Sequence, residues 1–319
     1  MKYKNNDLEL YKIGLGCGGM INTDNKAENI ATIHEALDSG INHLNTADFY
    51  GSGKSEMVIG EALKGQKRDK AFISLKFGAL VAPDGSMYGL DVRPLTIKNY
   101  ITYSLKRLNV DYIDLFQPAR IDLGIPVEET IGAISDLVKA GYVKHIGLTQ
   151  VDADTLRKAH AVHPISFIES EYSLFNRSME KEILPTAREL GIGMVAFGSL
   201  AHGLLSGTWS KEKSHAYVPL FFKENIDKNL ELVEALREIA SEKQTTIPQL
   251  AIAWLLSKGD YIITLVGASR RSTLKDSLKA TDVNLSADDI LRIENAIPAD
   301  KIAGASFPNR QFKNGIVVL

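Results

Sequence analysis

Residues 131–150 read IGAISDLVKAGYVKHIGLTQ, and this stretch contains one complete unit of the fold. Its first half has apolar side chains at helical spacing, namely Ile131, Ile134, Leu137 and Val138. Gly141 follows as the expected end of the helix. The run HIGLTQ (145–150) then has the length of one β-strand. The stretch therefore predicts a helix, a glycine stop and a strand in direct succession.

The same unit recurs along the chain. Eight apolar runs of strand length are separated by segments with helical spacing: KIGLG (12–16), INHLNTAD (41–48), AFISLKFG (71–78), DYIDLFQ (111–117), HIGLTQ (145–150), ISFIESEY (165–172), IGMVAFGS (192–199) and YIITLVGA (261–268). Alternating strands and helices favour a parallel sheet covered by helices, and eight strands can close a barrel.

We therefore predict an α/β fold, a (β/α)8 TIM barrel made by residues 1–319 as one domain. It should carry an N-terminal strand segment and extra C-terminal helices. An added helix is expected at Ile247–Ser257, where Pro248 suits the first turn. A doubly wound open sheet, which would usually bring a distinct second domain, is the alternative.

The composition argues against several classes of function. Hydrophobic residues make up 45% of the 319 residues, and the formal net charge of -2 leaves no basic excess for nucleic acid. Cys17 is the single cysteine, so an intramolecular disulfide is impossible and a structural metal site is not expected. No apolar stretch approaches the roughly 20 residues that span a bilayer, and no secretory leader is recognised. We expect a cytoplasmic protein without a membrane or nucleic-acid partner.

In such barrels the reactive residues lie where strands end and the following loops begin. The second predicted strand ends in Asp48 and leads to Tyr50, and alternation puts Leu44, Thr46 and Asp48 on one face. An ordinary turn would also account for these residues. The third strand carries Lys76 in an apolar run, where it must either meet an opposite charge or extend to the surface.

Asp48 and Lys76 end neighbouring strands on the same side, so we expect them to pair inside the barrel mouth. Lys76 would then favour the tyrosinate form of Tyr50 and lower its pKa towards neutrality. A tyrosine in this setting can donate a proton to the alkoxide that forms during hydride transfer.

Five fragments in this order resemble the aldo-keto reductase family, between Ile13 and about Ile297: Gly14–Met20, Ala47–Gly51, Ile146–Thr149, Glu171–Leu174 and Gly267–Arg270. The resemblance implies a nicotinamide cofactor, a small carbonyl substrate and reduction of aldehydes or ketones. It also implies three catalytic roles. Asp48 is the carboxylate that orients the lysine, Tyr50 is the general acid, and Lys76 is the cation that lowers the pKa of Tyr50.

The fourth catalytic position departs from the family pattern. The fourth strand continues as DLFQPARID (114–122), and Ala119 stands where the family has a histidine that orients the carbonyl and donates a hydrogen bond. Arg120 is expected to point to the opposite face and His43 to pack in the core, while a water could fill the space beside alanine. Losing one such donor typically costs roughly 10² to 10³ in rate. We hypothesise slower chemistry or a different substrate class.

A second departure concerns the nicotinamide carboxamide. Glu169 stands where the family usually has glutamine, and an ionised glutamate can accept hydrogen bonds but not donate them. Thr149 and Gln150 remain as carboxamide partners. The resemblance places Phe197 against the nicotinamide ring, although plain core packing would also explain this side chain.

The remaining cofactor contacts lie at the ends of the first, second, seventh and eighth strands or follow them. The resemblance assigns to them Gly16, Cys17, Gly18, Asp48, Gly198, Ser199, Leu200, His202, Gly203, Gly267, Ser269, Arg270, Arg271, Asp276 and Ser277. Glycine and small residues at a helix start expose N–H groups to a phosphate. Arg270 and Arg271 suit a 2′-phosphate, unless they are simply solvated. These features predict NADPH rather than NADH.

The predicted function is NADPH-dependent reduction of an aldehyde or ketone to the alcohol. One alternative is a non-catalytic or weakly catalytic NADPH-binding, redox-sensing protein, to which the loss of the histidine points. Another is a lyase or isomerase acting on a phosphate-bearing substrate, in which Glu169 and Lys76 would be the catalytic residues in the barrel mouth. Substrate choice is expected to depend on residues 203–224 and 307–319, where Phe307 and Phe312 are candidates to cover the mouth.

Overall fold

An N-terminal hairpin closes the lower end of a barrel. The computed structural model of the chain describes residues 2–5, 8–65, 67–207, 209, 218–306 and 311–318. The hairpin pairs β1 (Lys2–Asn5) with β2 (Leu8–Tyr11), which confirms the predicted N-terminal strand segment. Its Tyr3 and Leu10 are buried against the side chains that point into the barrel.

Eight parallel strands close into this barrel, which confirms the predicted (β/α)8 fold. In chain order the strands after the hairpin are β3 (Ile13–Gly16), β4 (His43–Ala47), β5 (Phe72–Phe77), β6 (Ala79–Val81), β7 (Met87–Leu90), β8 (Ile113–Pro118), β9 (Val143–Thr149), β10 (Ile165–Glu171), β11 (Gly193–Phe197), β12 (Ile262–Gly267), β13 (Phe312–Lys313) and β14 (Ile316–Val317). The barrel order is β3, β4, β5, β8, β9, β10, β11 and β12, and β12 pairs with β3 to close it.

Helices cover the outside of the barrel. They are α1 (Lys26–Asp38), α2 (Lys54–Ala62), α3 (Pro94–Leu108), α4 (Val127–Lys139), α5 (Ala153–Val162), α6 (Ile183–Glu189), α7 (Ile226–Glu242), α8 (Ile247–Ser257), α9 (Arg271–Leu278) and α10 (Ala287–Ala296). Helix α8 has the predicted bounds, because a capping box between Thr246 and Gln249 fixes its first turn. None of the helices in the described part of the chain is long and apolar enough to cross a membrane.

Alternation along the strands sorts the side chains into two layers. One layer packs between the strands and the helices and includes Ile73 and Leu75. The other fills the lower barrel and includes Phe72 and Phe167. By the same alternation, Lys76 points to the same side of β5 as Phe72, and Glu169 points to the same side of β10 as Phe167, towards the barrel axis. Polar side chains therefore enter the upper half of the interior.

A small antiparallel sheet stands at the mouth of the barrel, in the order β13, β14, β7 and β6. Strands of two to four residues are too short to show alternation, so no pattern in the sequence predicts this sheet. Phe312 in β13 is 2% exposed and lines the cavity described below. Phe307, the other candidate cover, lies outside the described residues, as do residues 208 and 210–217 of the irregular segment.

Candidate active site

A cavity of about 420 Å³ opens at the carboxyl ends of the barrel strands. Its walls contain Gly16, Gly18, Asn45, Phe49, Tyr50, Lys76, Leu90, Ala119, Arg120, Thr149, Glu169, Phe197, Gly198, Gly267 and Phe312. A larger cavity of about 900 Å³ shares Arg120 and Phe312 with it. Most of the predicted catalytic and nicotinamide residues are thus brought together at the end of the barrel where this fold usually carries its reactive groups.

Tyr50 lies in the wall of the smaller cavity, beside the ammonium group of Lys76. The turn after β4 fixes its backbone, since the Tyr50 N–H donates to the Ala47 carbonyl at 3.2 Å. Its ring packs edge-on against Phe49, with centroids 4.9 Å apart, and Lys76 Nζ lies 5.4 Å from its centroid. Gly18 leaves room for the ring, because a Cβ there would lie 3.2 Å from Tyr50 Cε2. The half-buried phenol is therefore held in place on the cavity wall.

Lys76 forms its ion pair with Glu169, so the predicted pair between Lys76 and Asp48 is wrong. The Lys76 Nζ lies 2.9 Å from Glu169 Oε1 and 2.6 Å from Asn45 Oδ1. The reason is the direction of the side chains, since Lys76 points into the barrel, whereas Asp48 follows the last residue of β4 and lies near Glu56 of α2. There, Asp48 Oδ2 accepts a hydrogen bond from the Gly78 N–H at 3.4 Å.

Asp48 occupies a buried and acidic setting of its own. Burial and then the negative charge of Glu56 on α2 raise the pKa of Asp48 to about 7, although the Gly78 N–H and Arg107 act in the opposite direction. Its Oδ1 is buried and has no hydrogen-bond partner among the described residues. Among the described residues Asp48 therefore makes no side-chain contact with Lys76, and it does not line the cavity that Tyr50 and Lys76 share.

Glu169 is 2% exposed and accepts side-chain hydrogen bonds on both of its oxygens. Besides the Lys76 contact, its Oε2 accepts from Asn45 Nδ2 at 2.7 Å and from Gln117 Nε2. Burial alone would raise the pKa of Glu169, but Lys76 and these donors hold it below its ordinary value. Burial likewise acts to lower the pKa of Lys76, and Glu169 and Tyr50 keep it above its ordinary value. The pair is therefore ionised.

Asn45 and Gln117 are the site residues that sequence reasoning missed. Both side chains contact Glu169 in the barrel interior. For Asn45 the signal is alternation along β4, because Asn45 shares its face with His43 while Asp48 belongs to the opposite face. For Gln117 the signal is a polar side chain one residue before the end of β8. The described residues contain no group of three or more His, Cys, Asp or Glu placed to hold a metal ion.

Ala119 lies at the cavity wall and offers no side-chain donor to a substrate. Its N–H is already used by the Phe77 carbonyl at 2.8 Å. His43 cannot replace the missing histidine, because it is fully buried lower in the barrel with its ring centroid 5.5 Å from that of Phe72. Burial lowers the pKa of His43 to about 4. The expectation that His43 is a packing residue is thus confirmed.

Arg120 lines the same cavity as Tyr50, which contradicts the expectation that it points to the opposite face. Strand β8 ends at Pro118, so alternation no longer governs residue 120, and Arg120 Nη1 donates to the Ala119 carbonyl at 2.6 Å. Burial lowers the pKa of Arg120, while Glu169, Tyr50 and Glu171 act to raise it. A guanidinium group remains protonated under such conditions, so a permanent cation stands beside the tyrosine.

Of the residues predicted to contact the nicotinamide, Thr149, Glu169 and Phe197 line the smaller cavity, whereas Gln150 does not. Thr149 is 1% exposed and lines the smaller cavity, and its Oγ1 has no hydrogen-bond partner in the described part of the chain. Phe197 lines the same cavity at the end of β11. Gln150 lines the larger cavity, where its Oε1 accepts the Glu171 N–H at 3.2 Å. Glu169 is engaged by Lys76 and two amides.

Three residues predicted near the cofactor have side chains engaged within the protein. The Cys17 thiol is packed between strands and helices, where burial raises its pKa to about 12. Ser199 Oγ donates to the Leu265 carbonyl at 2.9 Å. His202 Nε2 lies 3.2 Å from Glu171 Oε1. The thiol and the hydroxyl are therefore turned away from a ligand, and the backbone N–H and carbonyl of Cys17 are also engaged, by the Asn45 carbonyl and by Ser55 Oγ.

The predicted adenosine end lies at the start of α9. The Arg271 backbone N–H lies 3.0 Å from Glu28 Oε1, and its Nη2 lies 3.1 Å from Glu28 Oε2. Asp276 accepts a hydrogen bond from Gln249 Nε2 at 2.8 Å. Arg270 is exposed and makes no ion pair among the described residues. Of the two arginines, one is thus engaged by a carboxylate from α1.

The chain matches the aldo/keto reductase family over residues 12–298. It therefore belongs to this family and is an oxidoreductase of the aldo-keto reductase type, a class that acts on small carbonyl substrates with a nicotinamide cofactor. It is 38% identical over 315 residues to a probable aldo-keto reductase from Glycine max, an alignment that covers 94% of this chain and 89% of that protein.

Solved structures of the same family have the same barrel. A glycerol dehydrogenase from Gluconobacter oxydans has a TM-score of 0.84 and 28% identity, with coverage of 92% of this chain and 94% of that one. An aldo-keto reductase from Bacillus halodurans, solved in its holo form, has a TM-score of 0.80 and 27% identity, with coverage of 94% and 96%.

Proposed function

We propose that the chain reduces an aldehyde or ketone to the alcohol with NADPH, and that Tyr50 is the general acid. The observation that carries the proposal is the position of Tyr50, whose phenol lines the cavity next to the Lys76 ammonium. A hydroxyl beside a buried cation is suited to release its proton when negative charge develops on a substrate oxygen.

The residues of the cavity fit a nicotinamide cofactor. Thr149 Oγ1 is a buried polar atom without a partner among the described residues, which suits a hydrogen bond to the carboxamide. Phe197 offers an aromatic side chain on the same wall, and Gly267 leaves open space where a Cβ would stand. When bound there, the cofactor would supply the hydride.

The protein's own residues would handle the carbonyl oxygen and the proton. Tyr50 would donate its proton to that oxygen, and Lys76 would stabilise the phenolate that remains. Arg120, which lines the cavity, would donate a hydrogen bond to a polar oxygen of the substrate in the region where Ala119 has no side-chain donor. The apolar side chain of Phe312 would limit the access of water to the reacting groups.

Preference for NADPH is supported by the two arginines at the start of α9. Arg270 is exposed and makes no ion pair with the described residues, and Arg271 carries a fork of donors that matches a phosphate. Glu28 holds Arg271 in this structure, so binding of a 2′-phosphate by Arg271 would require that ion pair to open.

A weakly catalytic NADPH-binding protein is the second candidate. The observation that favours it is the cavity wall at Ala119, which has no side-chain donor to align a carbonyl. Retention of the Tyr50 and Lys76 pair favours the enzyme, because a binding protein has no use for a proton donor.

The test is the consumption of NADPH over a panel of aldehydes and ketones. Tyr50→Phe should lower kcat by roughly 10² to 10⁴, the usual contribution of a positioned general acid. Tyr103→Phe is the matched control, since Tyr103 is 54% exposed and should keep the wild-type rate. Turnover that survives in Tyr50→Phe contradicts the assigned acid, and tight NADPH binding without turnover by the wild type would support the sensor.

A further inference from the structure

Four polar side chains form a buried network near Tyr50: Asn45, Lys76, Gln117 and Glu169. They come from β4, β5, β8 and β10, so their hydrogen bonds cross the barrel interior. Asn45 is 3% exposed, Lys76 is 4%, Gln117 is 0% and Glu169 is 2%. At such burial an unpaired charge would be costly, so the partner of Lys76 is decisive for its protonation.

Glu169 is the anion that faces Lys76 within this network. The other titratable groups that interact with the pair are Tyr50, Arg120, His43 and Cys17. Burial lowers the pKa of His43 to about 4 and raises the pKa of Cys17 to about 12, so both are neutral near pH 7. Arg120 is a cation. The negative charge that balances Lys76 in the resting protein is therefore on Glu169.

The Asn45 amide bridges Lys76 and Glu169, and its presence on β4 fits a network whose carboxylate is on β10. Its Oδ1 accepts a hydrogen bond from Lys76, and its Nδ2 donates one to Glu169. Aspartate at position 45 would keep the first contact but could not donate the second, and it would bring two anions together. The network thus accommodates one carboxylate, either on β4 or on β10, and this chain carries it on β10.

We propose that Glu169 is a positioning residue that keeps Lys76 protonated and directed at Tyr50, the role that the family resemblance implies for Asp48. The catalytic part of this inference rests on the proposed function, because it requires Tyr50 to act as the proton donor. Glu169 is thereby reassigned from the nicotinamide carboxamide to the support of the lysine.

The first experiment measures the protonation of Lys76 without any reaction. Protein with carbon-13 at lysine Cε is titrated by NMR in the absence of cofactor, and Lys76→Met identifies the signal. Lys76 should stay protonated to alkaline pH in the wild type, whereas Glu169→Gln should move its midpoint down by roughly two pH units or more. Asp48→Asn is the matched control and should leave the midpoint where it is, with circular dichroism confirming that each variant is folded.

A double variant guards against a general folding defect. Asn45→Asp combined with Glu169→Gln returns one carboxylate to the network on the opposite strand, and it should restore the high midpoint of Lys76. An unchanged midpoint in Glu169→Gln, or an equal shift in Asp48→Asn, overturns the proposal.

The second experiment separates positioning from cofactor binding. On a carbonyl that the wild type reduces, Glu169→Gln should lower kcat by roughly 10²-fold, the low end of what a positioned acid contributes. The Kd for NADPH should change far less, and the double variant should recover most of kcat. A higher Kd with unchanged kcat would assign Glu169 to the cofactor and overturn the inference. If the wild type reduces no carbonyl, the proposed function fails, whereas the Lys76 titration still decides the role of Glu169.

Discussion

The interior of the barrel and the rim around α9 hold their charges in different ways. Inside, the Lys76 and Glu169 side chains are 6% and 2% exposed, and neutral amides complete their hydrogen bonds. At the rim, the Arg271 and Glu28 side chains are 52% and 34% exposed, so water screens their attraction. The Lys76 and Glu169 pair therefore fixes the position of the lysine, whereas a ligand can replace Glu28 as the partner of Arg271. The effect of a substitution should accordingly decline from the barrel axis outwards.

The largest effect is expected at the barrel axis. Lys76→Met leaves the Glu169 carboxylate buried without its paired cation, which should reduce the free energy of unfolding by about 3 to 5 kcal/mol and abolish measurable turnover. Urea unfolding measures the first and NADPH consumption the second. The matched variant Lys76→Met/Glu169→Gln removes both charges and should be more stable than Lys76→Met alone. If both variants unfold at the same urea concentration, the ion pair does not carry the stability ascribed to it.

The next effect is expected one layer out, at Asp48. Burial raises the pKa of Asp48 from an ordinary value of 3.8 to about 7, so the folded protein keeps a proton there that the unfolded chain has already lost. Stability should therefore fall as pH rises between these values, by roughly 2 to 4 kcal/mol relative to Asp48→Asn. Urea unfolding of both proteins at pH 4, 5, 6 and 7 is the measurement. Parallel profiles would contradict the raised pKa.

A smaller effect is expected at the mouth. Ala119→His should raise kcat/KM by roughly tenfold or more on at least one carbonyl, because it adds a side-chain donor to the cavity wall. Ala119→Leu fills similar space without a donor and should bring no gain. Equal turnover by wild type and Ala119→His on every carbonyl tested would show that Arg120 or a water molecule already donates the hydrogen bond to the substrate carbonyl.

The smallest effect is expected at the rim. Glu28→Gln frees Arg271 and should lower the Kd for NADPH by roughly two- to fivefold, the range of an exposed ion pair, with little change for NADH. Cofactor fluorescence gives both constants. Glu35→Gln is the control, since Glu35 on the same helix pairs with Lys275 instead. Tighter binding of NADH than of NADPH by the wild type would contradict the proposed cofactor.

The barrel could be predicted from the sequence because each strand and helix has a local signal. The apolar run at 145–150 ends within a residue of β9, and α8 has the bounds that Pro248 and its neighbours indicate. These features depend on residues close in the chain, where alternation and capping operate.

The charge partners could not be predicted in the same way, because they depend on direction and on distant segments. Two residues that end neighbouring strands are near each other, yet Asp48 and Lys76 lie on different faces of the sheet. Glu169 is 93 residues from Lys76, and Glu28 is 243 residues from Arg271. A local pattern cannot show which distant carboxylate each cation meets.

The small sheet at the mouth bears on the order in which the site can be assembled. Asp122, in the loop after β8, accepts backbone hydrogen bonds from Asn314 and Gly315, 192 and 193 residues later in the chain. Phe312, which lines the cavity, belongs to the same late segment. During synthesis the barrel strands emerge first, so a nascent chain can close its barrel while one wall of the pocket is still missing. The ability to bind ligand should therefore appear only after residues 312–315 have left the ribosome, later than the barrel itself.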